Sequence, residues 1–229
     1  MPEVKANVKN TIFLIPIYNS AFHLSELFYK IFSLSEKSHI LCINDGSIDN
    51  SLDIIKQHSV KYIDFERNNG KGYALKIGMI YAKRNGYKFA LTIDSDLQHD
   101  PTMIINFFKT QRKENSDLVI GFRRFNFKNM PFMRVLSNYI TSSVVSGLVK
   151  QPILDSQSGF RLYNLDFFHE HTPFSDRYQM ETEILLKYAK SKAKISYTEI
   201  PVIYNNELSN INHTRDITNF VKVIWKEIS

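Results

Sequence analysis

Short apolar runs alternate along the first half of the chain with longer segments of helical period. The runs Thr11–Pro16, Ile40–Asn44, Lys61–Phe65, Phe89–Asp94 and Leu118–Gly121 read as strands. Between them, Ala21–Ser35, Ser51–His58, Lys71–Asn85 and Pro101–Lys113 carry the spacing of helices. Start signals support the helices: Asp49 and Asn50 precede the second, and Asp100-Pro101 opens the fourth. The alternation predicts βαβ units, hence an α/β fold with a central, mostly parallel sheet flanked by helices. The rhythm breaks at Phe122. A helical stretch at Met130–Val149 follows, then a glycine-containing segment at Asp155–Tyr163, a helical stretch around Met180–Ala189, a strand-like Lys194–Val202 and a final helix near Asp216–Ile228. No linker interrupts the sequence, so residues 1–229 read as a single domain with two halves, 10–121 and 122–229.

In open α/β sheets ligands gather beyond the carboxyl ends of the strands. Here those tips are polar: Tyr18-Asn19 after Pro16-Ile17, Asn44-Asp45-Gly46-Ser47, and Asp94-Ser95-Asp96-Leu97-Gln98-His99. Asp94 and Asp96 stand one residue apart and point to the same side. With the Gln98 oxygen they could hold a hard divalent cation whose other ligands are phosphate and water. A solvated turn, with Asp100 capping the next helix, is the alternative. Asp45 could accept hydrogen bonds from a base or ribose, and Gly46 would let the backbone approach closely; an ordinary turn capped by Asp49 is the plainer reading. In NNGKGYAL, Asn68 to Leu75, two glycines and Lys71 at a helix start favour an anion. The segment is neither G-x-G-x-x-G nor a Walker A sequence, which weakens dinucleotide binding and P-loop phosphotransfer.

Composition narrows the choice. Against 23 acidic residues stand 29 basic ones, a net charge of +6, which favours an anionic partner such as phosphate, nucleic acid or a membrane surface. From Leu118 through Leu154 there is no acidic residue, while Arg123, Arg124, Lys128, Arg134 and Lys150 interleave with aromatics. A basic nucleic-acid-binding module is therefore one reading, opposed by acidic strand tips that would repel phosphates without a metal. The one cysteine, Cys42, lies in an apolar run and reads as a buried thiol. No run approaches the roughly 18 apolar residues of a membrane span, and the polar start does not resemble a signal peptide, so a cytoplasmic protein is expected. The histidines show no zinc spacing; His99, beside the acidic tip, is the one of interest.

Seven segments in order resemble the family 2 glycosyltransferases of the GT-A fold, and more narrowly the polyprenyl-phosphate glycosyltransferases that include dolichyl-phosphate mannose synthase. They are IPIYNS (Ile15–Ser20), INDGSIDNS (Ile43–Ser51), NNGKGYAL, DSDLQHDP (Asp94–Pro101), GFR (Gly121–Arg123), DSQSGFRLY (Asp155–Tyr163) and YQMETEILL (Tyr178–Leu186). The resemblance implies a single GT-A catalytic domain, with 10–121 binding the nucleotide sugar and 122–229 the acceptor. It implies that Pro16, Tyr18, Asn19, Asp45, Gly46, Lys71 and Asp94 serve the donor, and that Asp94, Asp96 and Gln98 bind Mg2+ or Mn2+. Arg123, Arg134, Ser137, Arg161 and Arg215 would meet the acceptor phosphate or donor diphosphate, Asn138 would stand near, and Asp94, Asp96, Arg123 and Asp155 would carry catalysis. Ser20 stands where the family usually has an acidic residue, and Asn44 where it has the first Asp of an Asp-Asp-Gly-Ser turn.

The activity implied is inverting transfer of a sugar from a UDP- or GDP-sugar to polyprenyl phosphate at the cytoplasmic face of the membrane. A phosphate monoester is already anionic and needs no general base. The rival is a saccharide or protein hydroxyl acceptor, for which Asp155, Glu181 or Glu183 would have to act as base. Val135, Ile140, Val144 and Leu148 could form a membrane-facing side of the 130–149 helix, or simply pack on the sheet, and Phe220, Val223, Ile224 and Trp225 in the last helix are open to the same two readings.

Overall fold

The computed structural model describes residues 9–124, 132–171, 175, 179–203, 220 and 224–225. Its strands are β1 (Thr11–Ile17), β2 (Ile40–Asn44), β3 (Lys61–Asp64), β4 (Phe89–Thr92), β5 (Leu118–Arg123), β6 (Arg161–Asn164) and β7 (Ile195–Ile200). They form one sheet in the order β3-β2-β1-β4-β6-β5-β7. The helices are α1 (Ala21–Phe32), α2 (Ser51–Gln57), α3 (Lys71–Arg84), α4 (Ile104–Glu114), α5 (Phe132–Val149) and α6 (Gln179–Lys190). As expected for a central strand covered on both faces, every residue of β1 is buried. Its alternating side chains divide the core. Phe13, Ile15 and Ile17 pack with Leu27, Phe28 and Ile31 of α1, whereas Ile12 and Leu14 pack with Leu75 and Met79 of α3.

The parallel pairs β1/β2, β2/β3 and β1/β4 match the βαβ reading. Boundaries move where function gathers. β1 continues to Ile17, while β4 stops at Thr92, so Asp94 lies in the loop beyond the strand. A 3-10 turn, Pro101–Met103, precedes α4, and the Asp100 carboxylate accepts the Thr102 N–H as the cap. The larger departure is β6, which sequence periodicity passed over. It is four residues long, wholly buried, and antiparallel to both β4 and β5. Because β6 runs backwards, its start lies where β4 and β5 end, with Arg161 paired to Thr92 and to Ile120. The loop just before β6 is thereby delivered to the functional edge.

The last expected helix falls mostly outside the described residues. Of its candidates, Phe220 and Ile224 pack on the core and Trp225 is exposed; Val223 is outside the description. No helix among the described residues is long and apolar enough to cross a membrane.

Candidate active site

Asp94 leaves β4 after the buried Ile93 and meets Lys71, the first residue of α3, with Nζ 2.6 Å from Oδ1. The same ammonium is 3.0 Å from Glu181 Oε1, in the first turn of α6. His99 Nε2 is 3.7 Å from Asp94 Oδ2, and its ring packs on Phe160 with centroids 5.2 Å apart. Gly159 closes over this group. A Cβ there would lie 2.8 Å from Lys71 Nζ and 2.9 Å from both Asp94 Oδ2 and Glu181 Oε1. The glycine is needed for close approach, and Thr92 Oγ1 fixes that approach by donating to the Gly159 carbonyl at 2.6 Å.

Burial disfavours the ionised Asp94, but Lys71 and His99 outweigh it and hold the carboxyl well below the usual carboxylate range. Burial likewise opposes the Lys71 charge, and Asp94 and Glu181 more than restore it, raising its pKa strongly. Asp96 goes the other way: burial first, then the neighbouring Asp94 charge, push its carboxyl up, while the Gln98 N–H donated to Oδ1 at 3.0 Å opposes the rise. Asp94 thus has its counter-charge within the protein, and Asp96 is the carboxylate that an added cation would favour most. No three His, Cys, Asp or Glu side chains among the described residues make a ready cation cage. Hard oxygen donors at this turn fit an ion that takes its remaining ligands from substrate and water. Leu97, at φ +58, turns the loop through a left-handed residue between Asp96 and Gln98.

At the neighbouring tips the loops after β1 and β2 are laced together. The Asn19 N–H donates to Ser47 Oγ at 3.0 Å, and the Ile48 N–H donates to Asn19 Oδ1 at 2.9 Å. The Ser20 N–H donates to Ser51 Oγ at 2.9 Å, and the Ser20 hydroxyl meets that of Ser95 at 2.8 Å. Asp45 is buried, its two oxygens accepting the N–H groups of Asn69 and Gly70, each at 2.8 Å. Asn44 donates to Asp64 Oδ1 at 2.7 Å.

A second cluster lies beyond β5. Asp155 is fully buried and accepts five N–H bonds: from Arg123 Nε (2.9 Å), Arg123 Nη2 (3.1 Å), the Arg123 backbone (3.3 Å), Asn138 Nδ2 (2.7 Å) and the Gln157 backbone (3.2 Å). Burial opposes its charge, but Arg123 and these donors prevail and its pKa is lowered. Arg161 is also fully buried, its guanidinium donating to the carbonyls of Ser158, Glu181 and Ser156 at 2.7 to 2.8 Å.

Residues 12–174 match the family described as Glycosyl transferase family 2. The chain belongs to this family. A protein of Methanocaldococcus jannaschii is 31% identical to the glycosyltransferase over 95% of this chain and 98% of its own. The UDP-N-acetylglucosamine–dolichyl-phosphate N-acetylglucosaminyltransferase of Methanococcus voltae is 28% identical over 83% of this chain and 84% of its own. In fold, the glycosyltransferase is similar to glucosyl-3-phosphoglycerate synthase from Mycobacterium tuberculosis. The complex of that enzyme with UDP superposes with a TM-score of 0.76 at 15% identity, covering 99% of this chain and 83% of that one. The same enzyme is also solved with UDP and Mg2+, and with UDP and Mn2+.

The glycosyltransferase brings Lys71, Asp94, Asp96, Gln98 and His99 to one sheet edge, as the sequence suggested, but it redistributes several roles. Pro16 is buried inside β1; Tyr18 and Asn19 are the exposed residues of that tip. Gly46, at φ +66, accommodates protein rather than ligand, since a Cβ would lie 2.3 to 2.6 Å from the Arg67 and Asn68 backbone. Arg161, expected on a phosphate, donates to the carbonyls of Ser156, Ser158 and Glu181. Asp155, expected among the catalytic residues, holds Arg123 through two of its guanidinium nitrogens. Glu183, buried, accepts the Ser175 N–H at 2.6 Å and its hydroxyl at 2.8 Å. Ser137 Oγ receives Gln157 Nε2 at 3.3 Å. The Arg134 side chain and Arg215 lie outside the described residues. Gly159, flanked by Ser158 and Phe160, is the site residue that sequence reading missed; only the proximity of a loop to three charged side chains reveals it.

Proposed function

We propose that this glycosyltransferase moves a sugar from a UDP- or GDP-sugar to polyprenyl phosphate at the cytoplasmic membrane surface. The observation that supports this most strongly is the state of the carboxylates. Asp155 is saturated by five donors, Glu181 faces Lys71, and Glu183 is bound by Ser175, so each candidate base for a hydroxyl acceptor already has another partner. A phosphate acceptor needs none of them. The lipid phosphate acceptor named for the Methanococcus voltae relative points the same way.

On this reading the donor enters over Tyr18 and Asn19, at the edge where Asp45 holds the Asn69-Gly70 backbone in place. Asp96, with Gln98 and Asp94 at the same turn, would hold Mg2+ or Mn2+, which would supply positive charge to the departing nucleoside diphosphate. Lys71 keeps Asp94 ionised and fixes Glu181 beside it. Arg123, aimed by its fork on Asp155, offers charge to the acceptor phosphate, with Ser137 and Asn138 on the adjoining helix. The acceptor oxygen attacks the anomeric carbon as the bond to the diphosphate breaks, and no protein group has to take a proton. Positioning and charge neutralisation carry the rate.

Transfer from radiolabelled UDP- and GDP-sugars to undecaprenyl phosphate in detergent, with Mg2+ or Mn2+ and with EDTA as control, tests the assignment. A chelator-sensitive, organic-extractable product is expected. Donor turnover that yields only water-soluble products would overturn the lipid acceptor.

A further inference from the structure

At the functional edge of the sheet a lysine already sits where positive charge is wanted. Lys71 Nζ is 2.6 Å from Asp94 Oδ1 and 3.0 Å from Glu181 Oε1, so one ammonium bridges two carboxylates from different elements. Carboxylates so far withdrawn from water are costly without a counter-charge, so this pair of acids needs a cation at all times. The fold confines the ammonium to this place. Its residue opens α3, where the Asn69 and Gly70 N–H groups are pinned to Asp45, and the Gly159 backbone covers it so closely that a Cβ would lie 2.8 Å from Nζ. Lysine is nevertheless a point charge on a flexible stem, able to release one acid while keeping the other. An incoming ion finds little else. No three His, Cys, Asp or Glu side chains among the described residues form a cation cage, and a divalent ion arriving alone at Asp94 would meet the like charge of Lys71 a few ångströms away.

We infer that Lys71 is a stand-in cation, occupying Asp94 until the donor arrives, so that the divalent ion is taken up together with the donor diphosphate and not before it. The diphosphate supplies the negative charge onto which the ammonium can move. Glu181 tethers the ammonium while Asp94 is given up. Burial supports this division, since the Glu181 side chain is 7% exposed and that of Asp94 24%: the deeper acid is the fixed partner and the shallower one the exchangeable partner. Two acids share one lysine for that reason. The consequence is a coupling in which the cation and the nucleotide each raise the affinity for the other by the same factor. The inference rests on the cation site proposed above at Asp94, Asp96 and Gln98, and it is independent of the acceptor.

Mn2+ binding to the full chain, followed by electron paramagnetic resonance, tests this without acceptor or turnover. The wild type should bind Mn2+ weakly alone and far more tightly with UDP. Lys71→Gln keeps a hydrogen-bond donor beside the two acids but removes the charge, and should bind Mn2+ alone about tenfold more tightly than the wild type. Its coupling between Mn2+ and UDP should shrink. Lys71→Met should repeat the gain and Lys71→Arg, which keeps the charge, should not, with circular dichroism confirming that each variant is folded. Adding Asp96→Asn to Lys71→Gln should abolish the gain. A wild type that binds Mn2+ equally well with and without UDP, or neutral variants that bind it no better than the wild type, would overturn the inference and leave the cation site in place. So would a gain that survives Asp96→Asn, since the ion would then sit elsewhere. Failure of Mn2+ to bind the wild type even with UDP would remove the cation site of the proposed function, and this role of Lys71 with it.

Discussion

Two carboxylate–cation pairs flank the functional end of the sheet, Asp94 with Lys71 and Asp155 with Arg123, and they differ in the cation and in what surrounds it. Lys71 is a point charge on a flexible stem, shared between Asp94 and Glu181, and both members of the pair keep some solvent exposure. Arg123 grips Asp155 through two nitrogens in fixed geometry, and Asp155 has no exposure at all. The first arrangement can loosen and regroup around an incoming charge; the second cannot move without losing several hydrogen bonds together. On the proposed function the pairs would separate two tasks: adapting to the donor diphosphate and its cation, and holding an arginine at the entrance to the proposed acceptor side.

The widest gap between them should appear in stability. Asp155→Asn leaves the partly exposed Arg123 against a neutral partner and should cost about 1.5–3 kcal/mol in urea unfolding. The Asp155 pKa is depressed in the folded protein, so its stabilisation is complete above the unfolded carboxylate value of about 4 and is lost as pH falls through the lower folded value. The difference between wild type and variant should then narrow only in acid. A gap that stayed constant through that acid range would mean the charge of Asp155 is not what stabilises. Asp96→Asn should do the reverse, lowering transfer on the order of 10²–10³-fold while leaving the urea midpoint in place; wild-type turnover would remove Asp96 from the cation site. Gly159→Ala should fall between the two in stability. The atoms in the way are ends of long side chains, so the stability loss should be about 1 kcal/mol. Donor affinity by calorimetry should fall as Lys71 is displaced from Asp94. Unchanged affinity would show that this spacing does not govern the donor.

The same contrast separates what could be read in the sequence from what could not. The helix–strand rhythm of the first half and the acidic tip at Asp94 and Asp96 are local patterns, and the four strands up to β4 emerge within a residue or two of expectation. β6 escaped because four residues buried on both faces, Arg161-Leu162-Tyr163-Asn164, show neither alternation nor a purely apolar run. For Arg161 and Asp155 a sequence shows the charge but not the carbonyls and N–H groups that the fold places around them. Lys71 was identified as an anion-binding residue for a sound reason, yet the anions it meets are the protein's own. Exposure on α5 was equally hidden: the periodicity identified an amphipathic helix, but not which side would face the sheet.

The reversed strand has a consequence for how a nascent chain matures. β5 has only β6 and β7 as sheet neighbours, and both follow it in the chain. The set β3-β2-β1-β4 draws only on residues up to Thr92 and can pair while the rest is still being synthesised, leaving β4 as an open edge. β5 emerges next with nothing in the sheet to join. Only when residues 161–164 arrive is the wedge inserted that ties β5 to β4, and the same segment brings Gly159 down over Lys71, Asp94 and Glu181. Closing the sheet and completing the charged cluster are therefore one event, so the unfinished chain holds its acidic tip without the loop that would put it to use.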